Sequence, residues 1–93
     1  MKKIKITSNQ HFLISNRQVE TIFYLPLNVG EILELTSGFC VKLKDIQNDS
    51  FLILIAFNKQ PYRKLLVQEG TIQTFAFDAN DFFVEFLVEV VNE

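Results

Sequence analysis

The stretch at residues 81–91, with the sequence DFFVEFLVEVV, constrains the fold more than any other part of the chain. Its even positions are all apolar and its odd positions alternate apolar and acidic residues, which is the period-2 pattern of a β-strand with one buried face. At about 3.3 Å per residue the strand would run about 36 Å, so we expect it to span the molecule or to bend. The predicted inner set is Phe82, Val84, Phe86, Val88 and Val90, and the outer set is Phe83, Glu85, Leu87, Glu89 and Val91.

Turn residues divide the rest of the chain into further short strands at intervals of about 8 to 12 residues, and no segment keeps a helical period over three turns. Three local predictions follow. Residues 2–7 form an edge strand protected by outward lysines, residues 58–62 form a loop, and residues 63–68 and 71–77 pair as a hairpin. The remaining predicted strands are 11–15 (a short strand or a continuation of the first), 19–25, 31–36, 39–46 and 51–57.

This pattern predicts an all-β fold. The order GEILEL, turn, GFCVKLKDI, turn, SFLILIAF resembles the layout of small immunoglobulin-like and jelly-roll modules. We therefore predict an antiparallel β-sandwich of immunoglobulin-like or jelly-roll-like type with about eight short strands, and a small β-barrel is the alternative. A chain of 93 residues is too short to divide into two stable cores, so residues 1–93 are expected to form one domain.

The composition indicates a soluble protein of a reducing compartment. The single cysteine, Cys40, has no partner for an internal disulfide, and the lysines at the start are not followed by the apolar run of a signal peptide. No stretch of about 18 apolar residues exists, so we expect no membrane span. The expected location is the cytoplasm, or a virion if the chain comes from a phage.

Charge is distributed unevenly along the chain. All nine Lys and Arg lie within residues 1–64 with five acids, a net +4, whereas residues 65–93 carry six acids and no base, a net −6. Opposite charges on neighbouring strands would neutralise this asymmetry within one fold, and a head-to-tail contact would neutralise it between two molecules.

Candidate catalytic and metal-binding residues are few. His11 and Cys40 would supply a base and a nucleophile only if they met, and Cys40 is predicted to lie within a strand. Asp78, Asn80 and Asp81 carry oxygen ligands, but such residues also form ordinary turns, so we predict no metal site and leave cation binding by this loop open. No feature indicates a cofactor, and we predict that the protein is not an enzyme.

The alternative function is a small-barrel module that binds single-stranded nucleic acid or carbohydrate. A set of basic side chains with aromatic rings between them favours this alternative. The acidic end of the chain and the pI of about 5.3 argue against it, because phosphate is repelled by a negative surface. The residues of this set are Lys42, Lys44, Lys59, Arg63 and Lys64, with Phe57 and Tyr62.

The main functional prediction comes from apolar residues that lie on the outer faces of the predicted strands. Leu52, Leu54 and Ala56 lie opposite the core face of their strand, and the outer set of residues 81–91 does the same. We predict a non-enzymatic module that binds a protein partner or itself, in the style of a phage or mobile-element accessory, structural or inhibitor protein. The predicted partner-binding residues are Phe83, Glu85, Leu87, Glu89 and Val91, together with Lys59, Tyr62 and Arg63 of an exposed loop.

Overall fold

The computed structural model describes residues 2–92, which contain eight strands and no helix. Within those residues there is accordingly no helix that could cross a membrane. The strands are β1 (Lys2–Phe12), β2 (Arg17–Pro26), β3 (Ile32–Glu34), β4 (Phe39–Gln47), β5 (Ser50–Phe57), β6 (Gln60–Gln68), β7 (Ile72–Asp78) and β8 (Phe82–Asn92).

Two antiparallel four-stranded sheets form the molecule. Sheet A has the order β2-β1-β8-β7, and sheet B has the order β3-β4-β5-β6. The predicted all-β sandwich is confirmed. Each strand is paired with its neighbour in sequence except where the chain changes sheets after β2 and after β6, and β8 returns to pair with β1. This up-and-down order differs from the Greek-key connections of immunoglobulin and jelly-roll modules.

The strand β8 is a central strand of sheet A, and it has the single buried face that its amphipathic pattern predicts. It pairs with β1 from Lys2↔Asn92 to Phe12↔Phe82 and with β7 on its other side. Its inner side chains Val84, Phe86 and Val88 are buried. The β1–β8 pairing has no irregularity along its length, so β8 spans the sheet, which is one of the two outcomes expected from its length.

The core fills the space between the two sheets. Sheet A contributes Ile4, Ile6, Leu25, Phe75, Val84, Phe86 and Val88, and sheet B contributes Phe39, Val41, Leu43, Phe51, Ile53, Ile55 and Val67. Phe39 lies in the middle of an aromatic cluster, with its ring centroid 4.7 Å from that of Phe57, 5.2 Å from that of Phe77 and 5.1 Å from that of Phe86. These ring contacts join sheet A to sheet B.

Two polar side chains interrupt the inner face of β1. Ser8 and Gln10 are 1% and 4% exposed, yet both have partners in the loop between β3 and β4. The Ser8 hydroxyl lies 3.4 Å from that of Thr36, and the Gln10 amide donates to the hydroxyl of Ser37 at 2.5 Å. Hydrogen bonding offsets the cost of burying these groups, and it fixes the loop against sheet A.

The prediction of an edge strand at residues 2–7 was wrong. The segments predicted at 2–7 and 11–15 overlap one continuous strand, β1, which lies between β2 and β8 in the centre of sheet A. Lys3 and Lys5 do face outward, but they lie on the outer face of the sheet. Lysines that face outward at every second residue occur on edge strands and also on central strands with one solvent-exposed face. This pattern therefore did not distinguish the two kinds of strand.

The predicted pairing of residues 63–68 with 71–77 was also wrong. Strand β6 is the edge of sheet B, whereas β7 is the edge of sheet A and pairs with β8 alone. The turn at Glu69 and Gly70 therefore carries the chain from one sheet to the other. Gly70 has φ +82, which accounts for a glycine at this sharp change of direction.

The segment predicted as a loop at 58–62 is shorter than expected. Asn58 and Lys59 form a two-residue hairpin turn with φ of 51° and 65°, and β6 begins at Gln60. Two successive positive φ values are typical of a type I′ turn, whose twist matches that of the flanking strands. Pro61 is tolerated because it lies on an edge strand, next to the irregularity between Ile55 and Ala56.

Candidate protein-binding face on sheet A

The outer face of sheet A brings together all five outward residues predicted on β8. Phe83, Glu85, Leu87, Glu89 and Val91 point away from the core, and all except the exposed Glu85 are half-buried. They are partly covered by side chains of β1 and β7 and not by a further layer. The placement of this set on an open face is therefore as predicted.

The register of the four strands arranges this face in rows across the sheet. The first row contains Tyr24, Lys5, Glu89 and Ile72, in the order β2, β1, β8, β7. The second row contains Ile22, Thr7, Leu87 and Thr74; the third contains Glu20, Asn9, Glu85 and Ala76; the fourth contains Gln18, His11, Phe83 and Asp78.

Large apolar side chains at both edges of this face are exposed. Ile22 is 44% exposed and Tyr24 is 38% exposed on β2, and Ile72 is 57% exposed on β7. Leu87 is half-buried in the second row, and the first row has Lys5 and Glu89 between its two apolar ends. Single exposed apolar residues are common on protein surfaces, but four large ones on one open sheet face indicate a candidate interface.

The charges on this face are segregated by strand. The outward bases Lys3 and Lys5 are on β1, and the outward acids Glu85 and Glu89 are on β8. Lys5 lies directly opposite Glu89 in the β1–β8 pairing. The placement of Lys5 opposite Glu89 is an instance of neutralisation within one fold, one of the two arrangements expected from the uneven charge. Lys2 of β1 also forms an ion pair with Glu69, in the turn that follows β6.

A shallow depression lies at the fourth-row end of the face. It has a volume of about 500 Å³ and is lined by His11, Gln18, Glu20, Phe83 and Glu85, among others. The His11 ring is held by its neighbours, with Nε2 3.1 Å from Oδ1 of Asn16 and Nδ1 3.5 Å from Nε2 of Gln18. Its hydrogen bonds are those of a structural side chain on a polar surface.

The structure separates the two residues that a nucleophilic relay would require. His11 is on the outer face of sheet A, whereas Cys40 faces outward from β4 in sheet B, opposite Ala56. Both sheets and the core lie between the two side chains. The structure thus provides no arrangement in which His11 could activate the Cys40 thiol.

The loop with Asp78, Asn80 and Asp81 makes a turn between β7 and β8. Its backbone is closed by a hydrogen bond from the Ala79 amide to the Phe82 carbonyl at 2.8 Å. Among residues 2–92, no group of three or more His, Cys, Asp and Glu side chains is arranged to hold a metal ion. The oxygen-rich sequence is accounted for by the turn.

The second part of the predicted partner site lies elsewhere. Lys59 is in the β5–β6 turn, and the Tyr62 ring packs toward the aromatic cluster, 5.4 Å from the Phe77 ring. The Arg63 guanidinium lies 5.7 Å from the Tyr62 ring and 6.0 Å from the Phe75 ring. The predicted exposed loop is therefore a turn and the start of a strand, and it is not joined to the outer face of sheet A.

The bases predicted to line a nucleic-acid groove are also dispersed. Lys42 and Lys64 lie on the outer face of sheet B, on either side of Leu54 in one row. Phe57 packs inward on Phe39 and Phe77, whereas Tyr62 is partly exposed with the Arg63 guanidinium beside its ring. Arg63 is directed toward the Phe75 ring, while Lys64 lies in the outer row with Lys42, so the predicted set does not form one continuous groove.

Comparisons with known proteins identified no relative. No family model matches the chain, and neither a curated protein nor a solved structure matches it. The surface of the molecule is therefore the only indication of its function.

Half of the candidate face could be assembled only with the strand order. The sequence indicated Ile22 and Tyr24 as apolar residues opposite a core face and Lys5 as outward, but they and Ile72 lie beside the predicted β8 residues because β2, β1 and β7 share its sheet. Ile72 is the clearest omission. It begins β7, and its side chain lies on the side of the strand opposite that of the buried Phe75. The sequence therefore indicated that Ile72 faces outward, but assigning it to sheet A required the strand order.

Proposed function

We propose that this protein is a non-enzymatic protein-binding module that acts through the outer face of sheet A. The single observation that carries the proposal is a group of four large apolar side chains, Ile22, Tyr24, Leu87 and Ile72, on one open sheet face. Covering this group removes apolar surface from water, which stabilises a complex by about 25 cal/mol for each Å² of apolar surface buried.

The composition of the face supports a protein surface as the bound partner. Its edge strands present Ile22, Tyr24 and Ile72, and its central strands present Leu87 with charged residues on either side. Protein interfaces combine apolar and charged side chains, and the charges affect the association rate and orientation more than the affinity. A phosphate backbone would instead meet the acids of β8.

The experiment is a comparison of two matched charge insertions, measured by light scattering over a range of protein concentrations. Leu87→Glu places a charge in the centre of the outer face of sheet A, and Leu54→Glu places the same charge in the centre of the outer face of sheet B. We expect self-association of the parent protein, weakened about 30-fold or more by Leu87→Glu because a central apolar contact is replaced by a buried charge.

Leu54→Glu is the control, because Lys42 and Lys64 flank the new carboxylate and the folded chain accommodates it. It should leave the association unchanged. The opposite ranking, with Leu54→Glu disruptive and Leu87→Glu silent, would assign the interface to sheet B and overturn the proposal.

The cellular setting belongs to the same proposal. A chain with one cysteine and no disulfide is compatible with the cytoplasm, or with a virion in which the module has an accessory role. Size and composition are the support for this setting, and the docking face is independent of it.

A further inference from the structure

We infer that the occupant of the outer face of sheet A is a second copy of the chain, related to the first by a two-fold axis that runs parallel to the strands between β1 and β8. The inference rests on the proposed function and adds the partner and its orientation to it. In such an isologous contact each row of the face meets the same row of the second copy in reverse order.

The first row supports this orientation most strongly. Reversing the order Tyr24, Lys5, Glu89, Ile72 places Lys5 over Glu89 of the second copy, and Glu89 over its Lys5. The same operation places Tyr24 over Ile72, so that two exposed apolar residues cover one another at each edge. One row thus gives two ion pairs and two apolar contacts for each dimer.

The other rows are compatible with the same axis. In the second row, Leu87 meets Thr7 and Ile22 meets Thr74 of the second copy. The third row places Glu85 over Asn9, an acceptor over an amide donor. The fourth row places His11 over Phe83 and Gln18 over Asp78; no row brings like charges together.

A two-fold axis at right angles to the strands and through the second row is unfavourable because of charge. It would place the first row over the third row, so that Glu89 of each copy faced Glu85 of the other. Lys5 would then face Asn9 and would have no acid across the interface. Like charges in contact across an interface cost several kcal/mol, which decides between the two orientations.

The outer face of sheet B lacks this complementarity. Its central row contains Ile32, Lys42, Leu54 and Lys64, and reversal places both lysines over aliphatic side chains of the second copy. Burial of an ammonium group without an acid is unfavourable. Sheet A fits a copy of itself better, because its central base Lys5 meets Glu89, whereas Lys3 meets Val91 at the margin of the face.

The available area lies at the lower end of what a stable contact requires. The strands of sheet A have 10, 11, 11 and 7 residues, which at about 3.3 Å per residue and about 4.8 Å between strands offer about 600 Å² on each copy. The molecule measures 43 × 26 × 16 Å, so the two wide faces are those of the sheets. Two such faces bury about 1,200 Å², the lower end of the range of about 1,200 to 2,000 Å² for specific complexes. Aligned packing of two twisted sheets gives a crossing angle of about 30°, which this axis permits.

The test is a charge-reversal mixing experiment, followed by sedimentation equilibrium. The variants Lys5→Glu and Glu89→Lys each place like charges across the interface twice, so we expect each alone to weaken the dimer about 100-fold. An equimolar mixture should form a heterodimer with close to parent affinity, because both intermolecular pairs are opposite again. The double variant with both substitutions should dimerise with itself.

A cross-linking experiment tests the orientation without changing charge. In a Cys40→Ala background, a chain with Thr7→Cys mixed with a chain with Leu87→Cys should oxidise to a covalent heterodimer, because these positions face each other across the axis. Each variant alone should cross-link much less. This measurement remains informative if the charge variants fold poorly.

Two results would overturn the inference. A monomeric parent protein at high concentration would remove both the dimer and the self-association on which it rests. A parent dimer that is lost in Leu87→Glu, but is not restored in the charge-reversed mixture, would reject the two-fold arrangement and leave the docking face in place.

Discussion

Truncation of Phe39 tests whether the two sheets are held together by the aromatic cluster. The side chain is 1% exposed, and three phenylalanine rings of both sheets lie with centroids 4.7 to 5.2 Å from its own. Phe39→Ala removes this buried surface and leaves a cavity that rigid strands on both sides cannot close. Such a change costs about 3 to 5 kcal/mol. A domain of this length has a total stability of about 5 to 14 kcal/mol, so the loss is about a fifth of it or more.

The assay is urea unfolding at fixed protein concentration, followed by circular dichroism, with Leu66→Ala as the control. Leu66 is 49% exposed on the outer face of sheet B, and its truncation should cost about 1 kcal/mol or less. We expect Phe39→Ala to lower the midpoint strongly with an unchanged slope, and the melting temperature to fall by about 12 °C or more. A loss no larger than that of Leu66→Ala would refute the central position of Phe39 in the core.

Two further predictions concern backbone conformation, and both are measured as changes in the free energy of unfolding. Lys59→Gly should stabilise the protein by about 0.5 kcal/mol, because glycine relieves the positive φ at the second turn position after Asn58 at a smaller entropic cost; a lower midpoint would contradict the type I′ turn. Gly38→Ala should cost about 2 to 3 kcal/mol, because φ is +85 and the added Cβ would lie 2.6 Å from Oδ1 of Asn58. Gly30→Ala is its control, with φ +92 and open space around the Cβ, and should cost about 1 kcal/mol; equal losses at the two glycines would show that the contact with Asn58 is unimportant.

Local periodicity was sufficient to predict the strands and their faces. The alternation in β8 correctly separated buried Val84, Phe86 and Val88 from the outer residues, and the same reasoning placed Phe39, Val41 and Leu43 of β4 toward the core. Side chains alternate on every strand whatever its neighbours are, so this information is present in the sequence.

Strand neighbours were not predictable by the same means. The pattern of outward lysines in β1 is common to an edge strand and to a central strand with a wet face, and only the β8 pairing distinguishes them. Likewise the turn at Gly70 has the same local chemistry whether the chain returns to its sheet or crosses to the other. Ile72 and Lys5 consequently entered the candidate face only when the strand order was known.

A dilution series followed by NMR tests the docking face most directly, because it locates any contact without a substitution. Methyl signals of Ile22, Ile72 and Leu87 report on the outer face of sheet A, and those of Ile32, Leu54 and Leu66 report on that of sheet B. If the chain associates with itself through the outer face of sheet A, the shifts that depend on concentration will be confined to the first group. Shifts confined to the second group, or no shifts in either group at high concentration, would show that this face does not mediate self-association.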